Sequence, residues 1–308
     1  RQTLWHAARG VVAHTFTRHD FSIKWTFGEL ICAGPYSGIR WGVDQALDAY
    51  QAIAELCEGV NSCYEGSPPL TIINGSAANM DSVADESVDL VVMDPPYYDN
   101  VQYAELADYF YVWQRRGLGF AFPELYHRRL TDKSNEAVAN QTRHGARQGA
   151  YMEYERMMAG IFRECRRVLK DGGVMTVMFT HKQQAAWETL TNSLITSGWE
   201  ITAAFPVESE DTQGIHQKDL AAAASSIFIT CRKRSLEDRP PSTWTGLGGT
   251  GVANKVRESV KKALRDFEPL RLNPVDRMVA SYGRALQVLS KAWPVVDGNE
   301  PVGPTRAM

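Results

Sequence analysis

The feature that most constrains the fold is the run VDLVVM at positions 88–93, followed at once by Asp94-Pro95-Pro96-Tyr97. A nearly continuous apolar run is typical of a strand that is covered on both faces, as parallel sheets require. In open parallel sheets, ligands bind beyond the carboxyl ends of the strands. The sequence therefore predicts an α/β fold in which this strand delivers the Asp94 tip to a ligand site.

Helices and strands are predicted on both sides of this strand. Apolar residues recur at spacings of three and four, which indicates helices, in the segments 41–57, 101–118, 151–169 and 187–195. Apolar runs predict strands at 70–75, 174–179, 199–207 and 225–233, the last two as an antiparallel pair. A polar break follows, and after it a further apolar stripe at helical spacing predicts a helical C-terminal appendage. The stripe contains Val252, Val256, Val260, Leu264 and Phe267.

The overall charge restricts how the chain could contact nucleic acid. A formal net charge of -3 excludes a uniformly basic coat, so phosphate contacts would need a local cluster. Between positions 115 and 147 there are seven basic residues against three acids: Arg115, Arg116, Arg128, Arg129, Lys133, Arg143 and Arg147. This excess of basic residues indicates either a phosphate-binding segment or a solvated loop, and the sequence leaves both open.

The cysteines and the apolar segments indicate a cytoplasmic protein without a metal. The five cysteines are an odd number, widely spread, with no C-x-x-C pair, which is typical of a reducing compartment and of a chain without a zinc site. Cys165 is predicted to lie on the core side of its helix. No apolar stretch approaches membrane-spanning length, and no secretory leader precedes the chain. The start at Arg1, inside what looks like a domain, indicates a piece of something longer.

The Asp94-Pro95-Pro96-Tyr97 motif suits the capture of an aromatic amine. The lone pair of such an amine is delocalised into the ring, so an enzyme must hold the amine hydrogens to turn the lone pair outward. The Asp94 carboxylate could accept one N–H and the Pro95 carbonyl the other. Tyr97 could stack on a base swung out of its duplex, and Tyr98 could line the same pocket. The alternative is a proline-stiffened turn after a strand, with Asp94 capping the backbone.

With these residues the chain resembles the amino-methyltransferases that modify adenine N6 or cytosine N4, whose signature is (D/N/S)PP(Y/F). The segments DPPYYDNVQYAELADYFYVW, HDFSIKWTFGE and TGLGGTGVANKVRESV look like adenine-specific methylases of the DUF1156 type, some encoded beside phage-defence genes. The resemblance implies a Rossmann-like class I methyltransferase sheet, mixed and mostly parallel. It also implies S-adenosyl-L-methionine as cofactor and double-stranded DNA with a flipped adenine as partner, in a restriction-modification or phage-defence setting.

One motif of that family, a glycine-rich DPFxGxG turn that holds the cofactor, is not found in the chain. The glycine clusters at 34–42 and 246–251 follow no apolar strand, and both are predicted to be loops. The resemblance therefore implies that the first two strands of the sheet are absent and that segment 11–30 or another partner fills their place. It assigns cofactor contact to Gly75-Ser76-Ala77, for which a plain turn is the alternative.

The predicted organisation is an N-terminal segment 1–66, a methyltransferase core 67–235 with a basic insert 115–150, and a linker with helical appendage 236–308. Catalysis is assigned to Asp94, Pro95, Pro96 and Tyr97, and substrate contact to Tyr98, Arg115, Arg116, Arg128 and Arg129. No role is assigned to the histidines. Two other functions remain open: methylation of cytosine N4 or of an RNA base, and a non-catalytic nucleic-acid-binding module of a defence complex.

Overall fold

The computed structural model describes residues 38–61, 70–208, 225–235, 239–270 and 272–308. The chain divides into two compact units, residues 1–74 with 102–136 and residues 75–101 with 137–308, and each is described by itself. The predicted boundaries near 66 and 235 stay a prediction. Segment 11–30, the HDFSIKWTFGE stretch, Cys32 and Cys63 lie outside the described residues.

The first unit contains two long helices, α1 (Gly38–Asn61) and α2 (Tyr103–Leu118). Both helices are formed as predicted, although the glycine cluster at 34–42, predicted to be a loop, contributes its last five residues to α1. The apolar stripe of α1 is exposed rather than buried, and its members are Val43, Leu47, Tyr50 and Ile53. Periodicity shows which side chains share a face, but another element must cover that face before it is buried. In α2, Leu106 and Phe110 are buried.

The second unit is built on a four-stranded mixed sheet of order β1-β2-β4-β3. Its strands and the helices between them are β1 (Val88–Met93), α3 (Arg147–Val168), β2 (Leu169–Phe179), α4 (Gln184–Thr196), β3 (Trp199–Glu208) and β4 (Ser225–Lys233). The predicted antiparallel pairing of the last two strands is confirmed. β1 and β2 form the one parallel pair in the described sheet, so the expectation of a mostly parallel sheet is wrong for these residues.

Two further expectations about strands are wrong. The predicted strand at 70–75 is not formed, and Ile72 is 86% exposed. A strand needs a partner for its backbone groups, and among the described residues only an isolated bridge, Ser76 with Asn79, is formed there. β1 is not covered on both faces, because Leu90 and Val92 are exposed while Val91 and Met93 pack against the core. Within the described sheet β1 is an edge strand.

The C-terminal part adds helices α5 (Val252–Asp266), α6 (Pro274–Ala292) and α7 (Pro304–Ala307). A small separate sheet is formed by β5 (Ser242–Thr243), β6 (Val295–Asp297) and β7 (Glu300–Pro301). The Asn273 side chain caps the first turn of α6 by accepting the Asp276 N–H at 2.9 Å. On β3, the N–H of Ile201 donates to the Ser290 hydroxyl at 3.0 Å, so α6 covers one face of the main sheet. No helix within the described ranges is both long and apolar enough to cross a membrane.

The packing of α6 on β3 depends on Gly283. A Cβ at this position would lie 2.6 Å from the Cβ of Ala204, which has no flexible side chain to move aside. We therefore expect Gly283→Ala to lower the free energy of unfolding by about 1 to 2 kcal/mol, because overpacking outweighs the helix-propensity gain. Chemical denaturation measures this change.

Gly160 in α3 supplies the matched control. A Cβ there would have no neighbour closer than 3.9 Å, so the same substitution should raise the unfolding free energy by about 0.5 to 1 kcal/mol. Equal effects of Gly283→Ala and Gly160→Ala would contradict the close approach of α6 to β3.

Candidate active site at the end of β1

The parallel pairing of β1 with β2 brings two strand ends to one edge of the sheet. Met93, the last residue of β1, lies opposite Val177, and β2 ends two residues later at Phe179. The motif that follows β1 therefore meets the residues that follow β2. The Tyr97 ring packs edge-on against Phe179 with ring centroids 5.6 Å apart. Tyr97 is half-buried, and its stacking on a base stays a prediction.

The two acceptors proposed for an amine differ in exposure. Asp94 is exposed, and no hydrogen bond or ion pair joins its carboxylate to the part of the chain that the structure describes. Pro95 is buried, and its carbonyl likewise accepts no hydrogen bond from a described residue. A carboxylate used as a backbone cap would have such a partner. The alternative of a capping Asp94 therefore finds no support among these residues.

The next carbonyl, that of Pro96, accepts two hydrogen bonds. One comes from the Tyr98 N–H at 3.0 Å and the other from the Tyr154 hydroxyl at 2.9 Å. Tyr154 is fully buried on α3, and burial raises the pKa of its hydroxyl, which keeps the group protonated and able to donate. Pro96 is thus tied to the helix, while its neighbours Asp94 and Pro95 are not.

Tyr98 holds an unusual backbone conformation. Its φ of 56° lies in the left-handed region, which a bulky residue adopts only under strain, at a cost on the order of 1 to 3 kcal/mol. Two hydrogen bonds hold the backbone in this conformation. The Tyr98 carbonyl accepts the Ala139 N–H at 2.9 Å, and the Tyr98 N–H donates to the Pro96 carbonyl. Such strain occurs often at functional sites.

The Tyr98 ring is buried. Its exposed fraction is 5%, and it packs edge-on against Tyr151, Tyr154 and His181 at centroid distances of 6.3, 5.3 and 5.7 Å. Burial, and next the nearby Asp99 carboxylate, raise the pKa of its hydroxyl. The ring therefore acts in packing, and its predicted contact with substrate stays a prediction.

A His–Asp pair that the sequence did not reveal lies beside this turn. The side chain of His181 is buried, and its Nε2 lies 3.1 Å from Asp99 Oδ1. Its Nδ1 accepts the Gln183 N–H at 3.1 Å, so Nε2 carries the proton and donates to Asp99. This hydrogen bond is the largest cause that lowers the pKa of Asp99, and Arg147 assists. The signal was available, because His181 comes two residues after the end of β2.

The segment Gly75-Ser76-Ala77, assigned to the cofactor, forms an exposed turn. The Ser76 hydroxyl accepts the Ala78 N–H at 3.2 Å, and the Ser76 carbonyl accepts the Asn79 N–H at 3.0 Å. A Cβ added to Gly160 would lie 3.9 Å from the Ala78 Cβ, so the turn is followed by chain that runs along α3. Cofactor contact by these residues stays a prediction.

The four arginines assigned to substrate all lie in the other compact unit. Arg115 and Arg116 are in the last turn of α2, and the Arg116 guanidinium lies over the Trp113 ring. Two cations of the cluster are paired with acids: Arg128 with Asp132 at 3.0 Å and Lys133 with Asp108 at 2.7 Å. Arg115, Arg116, Arg128 and Arg129 therefore stay predicted phosphate contacts.

Cys165 is a core residue, as predicted from its helical position. It is 2% exposed, and burial raises the pKa of its thiol to about 12, which favours the neutral thiol over the reactive thiolate. Cys231 is buried as well. Among the residues that the structure describes, no cluster of His, Cys, Asp and Glu side chains could hold a metal ion.

Part of the chain that contains this site matches a known protein family. Residues 88–233, just under half of the chain, match the N6_N4_Mtase family model, described as DNA methylase. The match includes the Asp94 motif and all four strands of the main sheet, and it supports a DNA methyltransferase. No curated protein matches significantly.

A solved structure is also similar: TTHA0409 of Thermus thermophilus, provisionally described as a DNA modification methylase. It is 13% identical, with 70% of this chain and 72% of that chain covered and a TM-score of 0.27. A score at this level does not define the fold.

The bond from Tyr154 to Pro96 can be removed without changing the packing of the ring. Tyr154→Phe should lower the free energy of unfolding by about 1 kcal/mol, because one buried hydrogen bond is lost. Denaturant titration measures this. Tyr282→Phe is the matched control: the Tyr282 hydroxyl has no hydrogen bond to the described residues, so its loss should cost less than about 0.5 kcal/mol. Equal losses would show that the Pro96 contact contributes nothing.

The Asp99–His181 pair has a pH signature. Because the folded-state pKa of Asp99 lies below its unfolded value, the carboxylate stabilises the fold above about pH 4 and loses this contribution as the pH falls through the folded-state pKa. Asp99→Asn should therefore destabilise the protein at neutral pH, and its effect should shrink in acid. Unfolding curves at several pH values measure the difference.

The His181→Gln background separates this bond from general effects at position 99. There, Asp99→Asn should have a smaller effect at neutral pH, as a double-mutant cycle reports. Additive effects of the two substitutions would mean that the pair is not coupled.

Proposed function

We propose that this chain carries the amine-binding site of an S-adenosyl-L-methionine-dependent DNA adenine-N6 methyltransferase with a class I Rossmann-like sheet. The observation that carries the proposal is the exposed Asp94 carboxylate, which has no partner among the described residues. It stands directly beyond β1, inside the segment that matches the DNA methylase family.

The first task of the site is to orient the amine. Asp94 accepts one N–H of the adenine amine and the Pro95 carbonyl accepts the other, which directs the nitrogen lone pair away from the ring. The two acceptors must be fixed in advance, because the free energy needed to rearrange the loop would offset the free energy gained by orienting the amine. The proline φ angles and the Tyr154 bond to Pro96 supply that rigidity. When the nitrogen gains a methyl group it must lose a proton, and Asp94, which already accepts an N–H, receives it.

The second task is to hold a base outside its duplex. Unstacking and unpairing cost a few kcal/mol, and an aromatic face returns about 1 to 3 kcal/mol per stacked base. Tyr97 is the aromatic residue assigned to this stacking. Its edge contact with Phe179 restricts the ring, so stacking would cost little further entropy.

The cofactor would supply the methyl group from a sulfonium. The described residues fit part of such a molecule. The turn Gly75-Ser76-Ala77 is exposed and would hold one end of it, and the Asp94 carboxylate would stabilise the positive charge near the sulfur. The family's glycine-rich turn is absent from the printed sequence, so the methionine end has no assigned residues.

Cytosine N4 is a second candidate substrate, because the matched family covers both amines and both need the same two acceptors. The acid in first position of the motif favours adenine on the resemblance described above. The same resemblance suggests a restriction-modification or phage-defence role.

With the full-length protein, labelled cofactor and oligonucleotides of DNA and RNA, nucleoside digestion would separate these substrates; label in N4-methylcytosine alone would end the adenine proposal.

Asp94→Asn tests the proposed role of the carboxylate. Methylation should fall by at least about a hundredfold, because the Asn amide keeps an acceptor oxygen but cannot take up the proton that the amine must lose, while duplex binding changes less than about twofold. Single-turnover methylation and an equilibrium binding titration give the two values.

Asp89→Asn is the matched control on the same strand. Asp89 is exposed and pairs with Lys170 at 2.7 Å, so its substitution should leave methylation unchanged. If Asp94→Asn methylates at the wild-type rate, the site is not catalytic and the binding-module alternative gains weight.

A further inference from the structure

A cleft with an excess of positive charge lies between α5 and α6, away from any residue assigned above. Its volume is about 620 Å³, within the range of about 300 to 1,000 Å³ typical of ligand sites. Its polar lining includes Lys255, Lys262, Asp266, Arg284, Gln287 and Lys291. Four cations thus face one acid.

The lysines of this cleft are not neutralised by neighbours. Lys255, Lys262 and Lys291 are exposed and form no ion pair with any residue in the described ranges. Lys261, on the same helix but outside the cleft, does pair with Glu258 at 3.0 Å. A second charged cavity, by contrast, mixes its cations with acids from the same lining: Asp85, Glu86, Arg163, Arg166, Arg167, Asp171 and Lys233. The α5–α6 cleft, by comparison, keeps a clear positive excess.

Arg284 is positioned in the cleft before any ligand arrives. Its guanidinium lies over the Phe205 ring at 5.2 Å and the Phe267 ring at 5.6 Å. Its Nε is buried and has no hydrogen-bond partner within the described part of the chain. An unsatisfied buried donor is costly, and a held guanidinium matches the paired oxygens of a phosphate.

We propose that this cleft binds phosphate groups, and specifically the backbone of DNA. Three exposed ammonium groups surround one guanidinium that lies over two aromatic rings, and the cleft is large enough for such cations to neutralise more than one phosphate. The choice of DNA rather than a free nucleotide rests on the proposed function. The lining is dominated by cations, and the Gln287 amide already donates to the Thr202 carbonyl, so the contribution of the cleft is affinity and register rather than sequence.

The test compares duplex binding by Lys255→Gln/Lys262→Gln with binding by Lys261→Gln, all in the full-length protein. For the double variant, the slope of log affinity against log salt should fall by about 1.8, since each lost phosphate contact removes about 0.9. Its affinity at low salt should fall at least about tenfold. Lys261→Gln should keep the wild-type slope, and unfolding curves confirm that the exposed substitutions leave the fold intact.

An unchanged slope in the double variant overturns the proposal. If that variant also loses calorimetric binding of inorganic phosphate or deoxyadenosine monophosphate that the wild-type protein shows, the cleft is assigned to a free nucleotide instead. Failure of the proposed function is seen separately, as duplex binding by the wild-type protein without methylation of any base.

Discussion

The parallel pairing of β1 with β2 is the constraint on which the candidate site depends. Parallel neighbours end at the same edge of a sheet, so the register that sets Met93 against Val177 also sets the Asp94 motif beside Thr180 and His181. An antiparallel pairing would have sent the two segments to opposite edges. The site is therefore a consequence of sheet topology, and the long helix α3 that precedes β2 supplies its support.

The rigidity of the motif comes from several weak interactions that act within residues 95–98. Prolines restrict two φ angles, the Pro96 carbonyl accepts two hydrogen bonds, and Tyr98 holds a strained φ among three aromatic rings. Each of these hydrogen bonds is worth about 1 kcal/mol net, yet together the restraints leave the backbone few alternatives. The Asp94 carboxylate and the Pro95 carbonyl take no part in these hydrogen bonds with described residues, which leaves both open to the amine of the proposed function.

Charge is distributed unevenly over a chain whose net charge is only -3. Many cations, such as Lys133 and Arg167, form ion pairs with neighbouring acids. The cleft between α5 and α6 is different, because its lysines face one another across two helices. Electrostatic attraction to a polyanion is set by such local excess, not by the sum over the molecule.

The amino-acid sequence was sufficient for the helices α1 to α4, the final antiparallel pair, and the position of the Asp94 motif beyond a strand, because periodicity and strand-end rules act over short distances. It was misleading at 70–75 and at the stripe of α1, where burial depends on whether another element arrives to cover an apolar face. Tyr154 could not be assigned to the site from sequence, since it lies 58 residues from Pro96. His181 directly follows the end of β2, but its pairing with Asp99, 82 residues away, could not be read from the sequence. Only the tertiary structure decided those contacts, because they follow from the order and direction of the strands in the sheet, which local patterns in the amino-acid sequence do not specify.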